Sequence, residues 1–521
     1  MKVPQLATLT LDKIVGGGQA LGTLDDGRKA FVWGGLPGEK VAIRITKKKS
    51  SFVEGVVTEV LTKSPERIEP LDPESYLSTS PWQIMSFEVE QHYKAALIEE
   101  AFELHDIVLP DPIEVYTDDK QFHYRNKVEF SWFGHEKSVL GSKFLVLSEN
   151  ASTSSADESS SSSEALTRSL GRSPETRADD ERAANRRHGE NEETLDLAFF
   201  RRGSKGKIIV DECSLLPEPM MHLARAIRDL LRAKQVSARQ LKTLLIRCDQ
   251  RGNCVWQLYV KDQDFSHITP EDVASLSAQG GEVIYSDPRS PASRITKRLA
   301  SFSNTVLTDT ILGIPFSYAT EGFFQVNIPV YEQALKDMQE YVTGYDWGLE
   351  SSESQRTEST SASRTLQGEG QASEFISEGK RRGAPLLDLY SGVGSIGLTI
   401  GGDNCTLIEI DENAVREMKR NIKEQGSNAK PVLAPSEKAL EYITGNEIVI
   451  VDPPRAGMHK DVIDRLLEVT PPRIIYLSCN PVTQARDVAL LSEKYGIRAH
   501  KGYDFFPRTP HIEHLVILDR K

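Results

Sequence analysis

Cysteine is scarce in this chain, with five in 521 residues: Cys213, Cys248, Cys254, Cys405 and Cys479. The number is odd, the spacing is scattered and no C-x-x-C pair occurs, so neither a disulfide framework nor a zinc site is expected. A reducing, cytoplasmic setting fits best. No apolar run approaches the roughly 18 residues of a membrane span, and the N-terminal MKVPQLATLTLDKIVGGG lacks the h-region of a signal peptide. The expectation is a soluble intracellular protein. Positive charge is also in deficit, at a net −13, so the overall balance does not point to nucleic acid. Basic stretches exist only locally. RITKKKSSFVEG (44–55) and FHYRNKVEFSW (122–132) interleave Lys and Arg with apolar side chains, although each by itself also reads as a solvated face.

At roughly 100–200 residues per domain, the length suggests two to four domains. Residues 1–64 alternate short apolar runs with Gly, Pro and Asp-Gly turn signals, the pattern of a small antiparallel β-barrel of the oligonucleotide-binding-like kind. Lys47, Lys48 and Lys49 cluster on one of its hairpins, which makes the barrel a candidate RNA clamp. A second, mixed α/β core is expected over 65–315. VEQHYKAALIEEAFEL has helical period there, YRNKVEFSWFG alternates as a strand, and TLLIRCDQRGNCVWQLYVKD forms a hairpin in which Cys248 and Cys254 are simple strand residues. The Ser-rich, charged tract 149–193 cannot bury enough apolar area to offset chain entropy and reads as a disordered insertion splitting one hairpin. A second low-complexity tract covers 349–383. Within 316–521, PLLDLY, CTLIEI, EIVIVD and RIIYLS are short strands separated by helical stretches, which argues a parallel, doubly wound, Rossmann-like sheet.

Ligands of such a sheet bind at the carboxyl ends of the strands, and the chemistry-bearing residues fall there. LLDLYSGVGSIGLTI is a strand ending in a Gly-rich turn that opens a helix; Gly392-x-Gly394-x-x-Gly397 lets a ligand approach the backbone closely. This turn suits a dinucleotide, S-adenosylmethionine or no ligand at all. In LIEIDENA, Glu409 or Asp411 could accept ribose hydroxyls, which both cofactors require. EIVIVDPPRAGM stops abruptly because two prolines remove two N–H donors, leaving Asp452 at the strand end. Cys479 follows RIIYLS at the same edge, and Asn480-Pro481 ends that strand immediately. A thiolate at such an edge can add to C6 of a pyrimidine and make C5 nucleophilic toward a sulfonium methyl. A base must then take the C5 proton, and His511, Glu513 and His514 are all available in GYDFFPRTPHIEHLVIL. Spacing alone does not choose among them.

Together, GFFQVN (322–327), LLDLYSGVGSIGL, LIEID, VDPPRAGM, LSCNPVTQARD and DFFPRTPHIEHL resemble, in order, the motifs of the RNA 5-methyluridine methyltransferases, class I S-adenosylmethionine-dependent enzymes acting on tRNA or ribosomal RNA. The resemblance covers the last two hundred residues or so. It implies Cys479 as nucleophile and Glu513 as general base. It further implies Gln325, Tyr390, Glu409 and Asp452 as cofactor contacts alongside the Gly392–Gly394 loop, with Glu409 on the ribose. Gln325 without the family would be an ordinary residue before a helix. Ser395 stands where several members have Asn, which puts that one contact in doubt. The barrel resembles a TRAM module. YRNKVEF resembles the family's basic strand in a central RNA-binding domain, where Arg125 and Lys127 would contact phosphates, a positioning role. Some members hold an iron-sulfur cluster on four cysteines after the barrel. The corresponding stretch IEPLDPESYLSTSPWQIMSFEVEQHYK has none, so no cluster and no metal are expected. The partner expected is RNA, with no membrane and no obligatory protein partner evident. Three other functions compete: cytosine C5 methylation, NAD(P)-dependent oxidoreduction, and RNA binding without catalysis.

Overall fold

A computed structural model describes residues 5–136, 193–344 and 385–521. Both Ser-rich tracts lie outside the described residues, apart from Glu193 at the start of a strand.

Five strands, β1 (Leu6–Ile14), β2 (Ala20–Thr23), β3 (Lys29–Trp33), β4 (Lys40–Lys48) and β5 (Phe52–Thr62), close into a barrel in the order β1-β2-β3-β5-β4. Alternate residues such as Leu9, Leu11, Val32, Val41, Ile43 and Val53 fill it, as the period of two requires. After the barrel come a single turn, α1 (Tyr76–Thr79), a long helix, α2 (Phe87–Glu103), and a two-residue strand, β6 (Val115–Tyr116). Ser86 starts α2 by accepting from the Val89 amide.

The central sheet runs β13-β12-β11-β10-β7-β8-β9. Its strands are β7 (Lys127–Glu136), β8 (Glu193–Phe200), β9 (Lys207–Ile209), β10 (Leu241–Cys248), β11 (Cys254–Val260), β12 (Gly280–Tyr285) and β13 (Lys297–Ser303), with α3 (Glu218–Ala233) after β9 and α4 (Pro270–Ala274) before β12. β7 and β8 pair antiparallel from Ser131↔Ala198 to Glu136↔Glu193, so the chain between them does interrupt one hairpin. α3 covers one face through Met220, Leu223, Ala224, Ile227 and Leu231. The other face is mixed, with a small apolar cluster of Leu245, Tyr259 and Ile284 beside polar groups. There Gln257 donates to Glu282 and Glu321, and the buried Arg247 donates to the Gly322 carbonyl at 2.6 Å, gripping the loop that leads to Gln325. The expected hairpin of β10 and β11 is present with Cys248 opposite Cys254, but the two are joined by a disulfide, with Cα atoms 4.2 Å apart. Direct opposition across a tight hairpin accounts for this departure from the expected pair of simple strand residues.

The third body opens with the hairpin β14 (Val306–Ile311) and β15 (Ile314–Ala319) and with α5 (Ile328–Thr343). It continues with β16 (Leu386–Leu389), α6 (Ser395–Ile400), β17 (Cys405–Glu409), α7 (Glu412–Gln425), β18 (Lys430–Leu433), β19 (Ile448–Val451), α8 (Lys460–Val469), β20 (Arg473–Ser478), α9 (Pro481–Leu491), β21 (Tyr495–Tyr503) and β22 (Glu513–Arg520). The sheet order is β18-β17-β16-β19-β20-β22-β21-β6, parallel except for β22, which is antiparallel to both neighbours. Strand order reverses between β16 and β19, which opens a crevice at their carboxyl ends. The run from α2 to β6, expected in the central core, packs here instead. Ile98, Ala101 and Phe102 of α2 join the core beneath β16, β19 and β20, and β6 extends the sheet beyond β21. Their apolar residues find a sheet face here that α3 already occupies in the central body.

Candidate active site

Chain geometry at the end of β16 is unusual. Tyr390 has φ 64°, followed by Gly392 at 57° and Gly394 at 85°. A left-handed tyrosine is strained, and its neighbours explain why it persists. Glu409, at the end of β17, accepts the Gly392 amide at 2.9 Å and the Asp411 amide at 2.7 Å. Asp388 is fully buried under the loop and accepts the Gly397 amide at 3.0 Å. Burial pushes its carboxyl up to about 8. A methyl group at Gly397 would press on Leu407, on Cys405 Sγ at 2.8 Å and on Asp388 at 2.9 Å, whereas one at Gly392 would meet open space. The first glycine serves helix packing, and the second leaves the loop open to a ligand. Ser395 Oγ is hydrogen-bonded to the buried Tyr331 hydroxyl of α5 at 2.8 Å. The Ser395 hydroxyl thus has a partner within the protein.

In the sheet, β19 lies beside β16 and ends at Asp452-Pro453-Pro454. Burial pushes Asp452 up to about 7. Cys479 follows β20. Burial raises its thiol to about 11, the charges of Glu513 and Asp452 add to that shift, and Arg455 opposes it. Glu513 begins β22; since Ser478 pairs with His514, Glu513 stands at the register position across from Cys479. Burial and the Asp452 charge hold its carboxyl well above the usual range, again opposed by Arg455. One thiol, two carboxyls and one guanidinium therefore share a field. Their two loops are locked together: Asn480 Nδ2 and Thr483 Oγ1 donate to the Arg455 carbonyl at 2.8 and 3.2 Å. Asp487 accepts the Met458 amide at 2.8 Å and the Tyr476 hydroxyl at 2.9 Å.

The geometry separates the three carboxyl and imidazole groups that spacing left equal. His514 points to the opposite face of β22, fully buried, hydrogen-bonded to Gln484 at 2.7 Å and edge-on to Phe102. Burial holds it well below its ordinary range, and it belongs to the core. His511 lies near Arg455, with Nδ1 3.5 Å from the guanidinium. Burial, followed by the charges of Arg455, Arg125, Lys94 and Arg202, lowers it to about 4. Of the three, Glu513 is the one whose charge is among the causes of the Cys479 shift.

Gln325 is buried in the turn before α5, and its carbonyl accepts Asn126 Nδ2 at 2.8 Å. Asn126 lies between Arg125 and Lys127, so the basic strand and this turn are tied together. The expected basic contacts divide into different environments. Arg125 is half-buried and its charge reaches His511. Lys127 is paired with Glu129 at 3.6 Å, and burial lowers its ammonium. Lys48 and Lys49 are exposed on the β4–β5 hairpin, while Lys47 pairs with Glu54 at 2.5 Å. That hairpin meets the turn after β8, where Arg44 donates to the Gly203 carbonyl at 3.3 Å and Arg202 lies over the Trp33 ring at 4.1 Å. The turn adds Arg201 and Lys205, a cationic patch that in sequence looks only like the continuation of a strand.

The residues around the Gly392 loop suit S-adenosylmethionine chemically. Besides the open Gly392 loop and Glu409, the apolar Ile410 and Leu433 stand exposed just past β17 and at the end of β18, where a planar base can cover them. Asn327 occupies the N-cap position of α5 yet makes no capping bond. It is 1% exposed, and neither polar atom of its amide has a partner among the described residues, as expected of a side chain kept for a polar ligand. Asp388, Asn327, Tyr331 and Arg455 do not stand out in the sequence. Asp388, Asn327 and Arg455 lie inside recognised motifs, whereas Tyr331 looks like an ordinary helix position. Among the described residues, no group of three or more His, Cys, Asp or Glu is placed to hold a metal ion.

The chain is similar to known proteins in sequence and fold. Residues 438–521 match the tRNA (Uracil-5-)-methyltransferase family and residues 11–58 the TRAM domain. An uncharacterized RNA methyltransferase of Nitratidesulfovibrio vulgaris is 26% identical over 548 aligned residues, covering 98% of this chain and 96% of that protein. Another, from Bacteroides thetaiotaomicron, is 39% identical over 142 residues, 26% of this chain and 31% of that protein. In fold, the chain is similar to the Pyrococcus abyssi tRNA (uracil-54, C5)-methyltransferase crystallised with S-adenosyl-L-homocysteine, with a TM-score of 0.66 at 18% identity over 98% of this chain and all of that one. The motif resemblance and the fold class are borne out.

Proposed function

We propose that this chain, an S-adenosylmethionine-dependent RNA methyltransferase whose C-terminal segment belongs to the tRNA (uracil-5-)-methyltransferase family and whose N-terminal barrel is a TRAM domain, methylates C5 of a uridine in structured tRNA or ribosomal RNA through a covalent Cys479 adduct. One observation carries the reading: Asp452 at the end of β19, Cys479 after β20 and Glu513 at the start of the antiparallel β22 converge on one edge of the sheet, beginning at the strand next to β16, which carries the Gly392 loop.

Glu409, the Gly392–Gly394 loop, Tyr390, Gln325 and Asp452 hold the cofactor, which supplies an electrophilic sulfonium methyl. Cys479 Sγ, as thiolate, forms a bond to C6 of the uracil; the C5=C6 electron pair shifts toward O4 and makes C5 the nucleophile that takes the methyl. Arg455 is the cation that favours the thiolate. Glu513 then accepts the C5 proton, and the electrons of that C–H bond restore C5=C6 as the C6–S bond breaks and the thiolate leaves. Glu513 needs to be ionised for this step, and Arg455 again favours that state. Attack at C6 requires access to the face of the ring, so the uridine is flipped out of its stack. Arg125 and the barrel lysines hold flanking phosphates. The reaction takes place in the cytoplasm, where such RNA is found.

The test is to incubate the protein with labelled S-adenosylmethionine and unmodified tRNA and ribosomal RNA transcripts, digest to nucleosides and identify the product. Label in 5-methyluridine supports the reading and names the RNA. Label in 5-methylcytidine transfers the assignment to cytosine.

A further inference from the structure

Four charged side chains inside the molecule take no part in the chemistry above. Glu90 and Lys94 lie one turn apart on α2, Asp504 and Arg508 lie in the connection from β21 to β22, and none is more than 2% exposed. Lys94 Nζ lies 2.8 Å from Glu90 and also donates to Asp504; Arg508 lies 3.2 Å from Glu90, and Gln91 donates to Asp504 at 2.6 Å. Charges balance two against two. Burial of ions is expensive, and apolar side chains of similar volume fill space equally well.

Apolar side chains would not, however, satisfy a buried backbone. The Arg508 amide donates to Glu90 at 2.7 Å, the Phe506 carbonyl accepts from Lys94 at 3.3 Å, and the Pro507 carbonyl accepts the Tyr124 hydroxyl at 2.9 Å. The Arg508 guanidinium reaches back to the Met85 carbonyl at 2.8 Å. Arg508 itself sits at φ 64°, a left-handed conformation that its surroundings must hold in place. The connection ends at Glu513, whose strand partner is Tyr503, the residue before Asp504.

We propose that Glu90 and Lys94 are positioning residues for Glu513: by clamping Asp504 and Arg508 they fix where the carboxylate stands when it receives the C5 proton. The inference rests on Glu513 being the base. Glu90 and Lys94 hydrogen-bond the β21–β22 connection that leads to Glu513, whereas Cys479 follows β20, so loosening the clamp acts on proton removal more than on adduct formation. Since the thiolate leaves only after the proton, a displaced base leaves the protein–RNA adduct standing.

Lys94→Met and the charge-balanced Lys94→Met/Asp504→Asn are to be compared with Glu513→Gln in the full chain, using a transcript that the wild type methylates. The expected result is a fall in kcat of roughly 10²- to 10³-fold, with KM for S-adenosylmethionine within about twofold of wild type. A protein–RNA complex that survives denaturing electrophoresis should accumulate, as in Glu513→Gln. Should Lys94→Met fail to fold, the double variant carries the test. Full turnover by the folded double variant, or loss of kcat with no accumulated complex while Glu513→Gln accumulates one, overturns the clamp. No complex in Glu513→Gln sinks the base assignment, and the purpose assigned to the clamp with it.

Discussion

The carboxyl edge of the catalytic sheet and the β4–β5 hairpin of the barrel are both charged, in opposite ways. At the sheet edge the ionisable groups are of mixed kind and mutually perturbing, with Asp388 and Glu513 buried and Asp452 and Cys479 half-buried: partial or full burial lifts Cys479 to about 11, Asp452 to about 7 and Asp388 to about 8. On the hairpin Lys48 and Lys49 stand in solvent, neighboured by Arg44 and the Arg201–Lys205 turn. Burial gives a group chemical leverage because moving a proton or charge there changes its energy steeply. An exposed cation contributes long-range attraction that salt screens. The first region is suited to making bonds and the second to holding a polyanion.

If that division is right, substitutions should separate cleanly. The largest effect belongs to Cys479→Ala, which leaves nothing to add to C6; transfer of label to RNA should drop below detection while the rise in melting temperature with S-adenosylmethionine persists. Retained turnover would end the covalent account. Next in size, raising pH should speed single-turnover transfer. Burial raises the Cys479 thiol to about 11 and holds Glu513 well above the usual carboxyl range, so the thiolate fraction grows as pH rises. Between about pH 6 and 8 the rate should climb up to about tenfold per unit, and a flat profile would contradict the shifts.

A smaller effect concerns stability. The folded-state value of Asp388 is raised from 3.8 to about 8, so its contribution is fully present below about 4 and is lost as pH rises through about 8. Asp388→Asn should flatten the fall in melting temperature across that window, and an unchanged slope would show that the group is not the source. The smallest effect is expected on the barrel. Lys48→Gln with Lys49→Gln should weaken RNA binding and lower the slope of log affinity against log salt by roughly one for every phosphate no longer neutralised. The KM for S-adenosylmethionine should not move.

The same contrast governs what could be read from sequence. Parallel strands buried on both faces are short apolar runs, so β16, β17, β19 and β20 were legible with their ends marked by Gly, Pro-Pro and Asn-Pro. Residues at those ends were legible too, because they break the local pattern: Asp452 before two prolines, and Cys479 after RIIYLS. Tertiary partnership was not legible. α2 is recognisable as a helix, yet its period cannot say which sheet it covers, and it docks on the catalytic sheet some way along the chain, through Lys94 and Asp504. Asp388 resembles any polar residue in a strand until the Gly397 amide is seen above it. Cys248 and Cys254 sit where strand residues were expected, but their pairing depends on register. Lys127 looks in sequence like a free phosphate ligand and is engaged with Glu129. By spacing alone, without the family resemblance that names Glu513, choosing it over His514 requires knowing which face of β22 meets Cys479, which a one-residue change in register would reverse.

The most direct test of the central claim uses RNA in which uridine is replaced by 5-fluorouridine. Fluorine at C5 cannot leave as a proton does, so a Cys479 adduct formed at C6 is trapped after methyl transfer. A stoichiometric, S-adenosylmethionine-dependent complex that survives denaturation and maps by peptide mass spectrometry to Cys479 is the predicted result. Steady formation of 5-methyluridine from ordinary RNA, with no complex trapped on the fluorinated one, would contradict it.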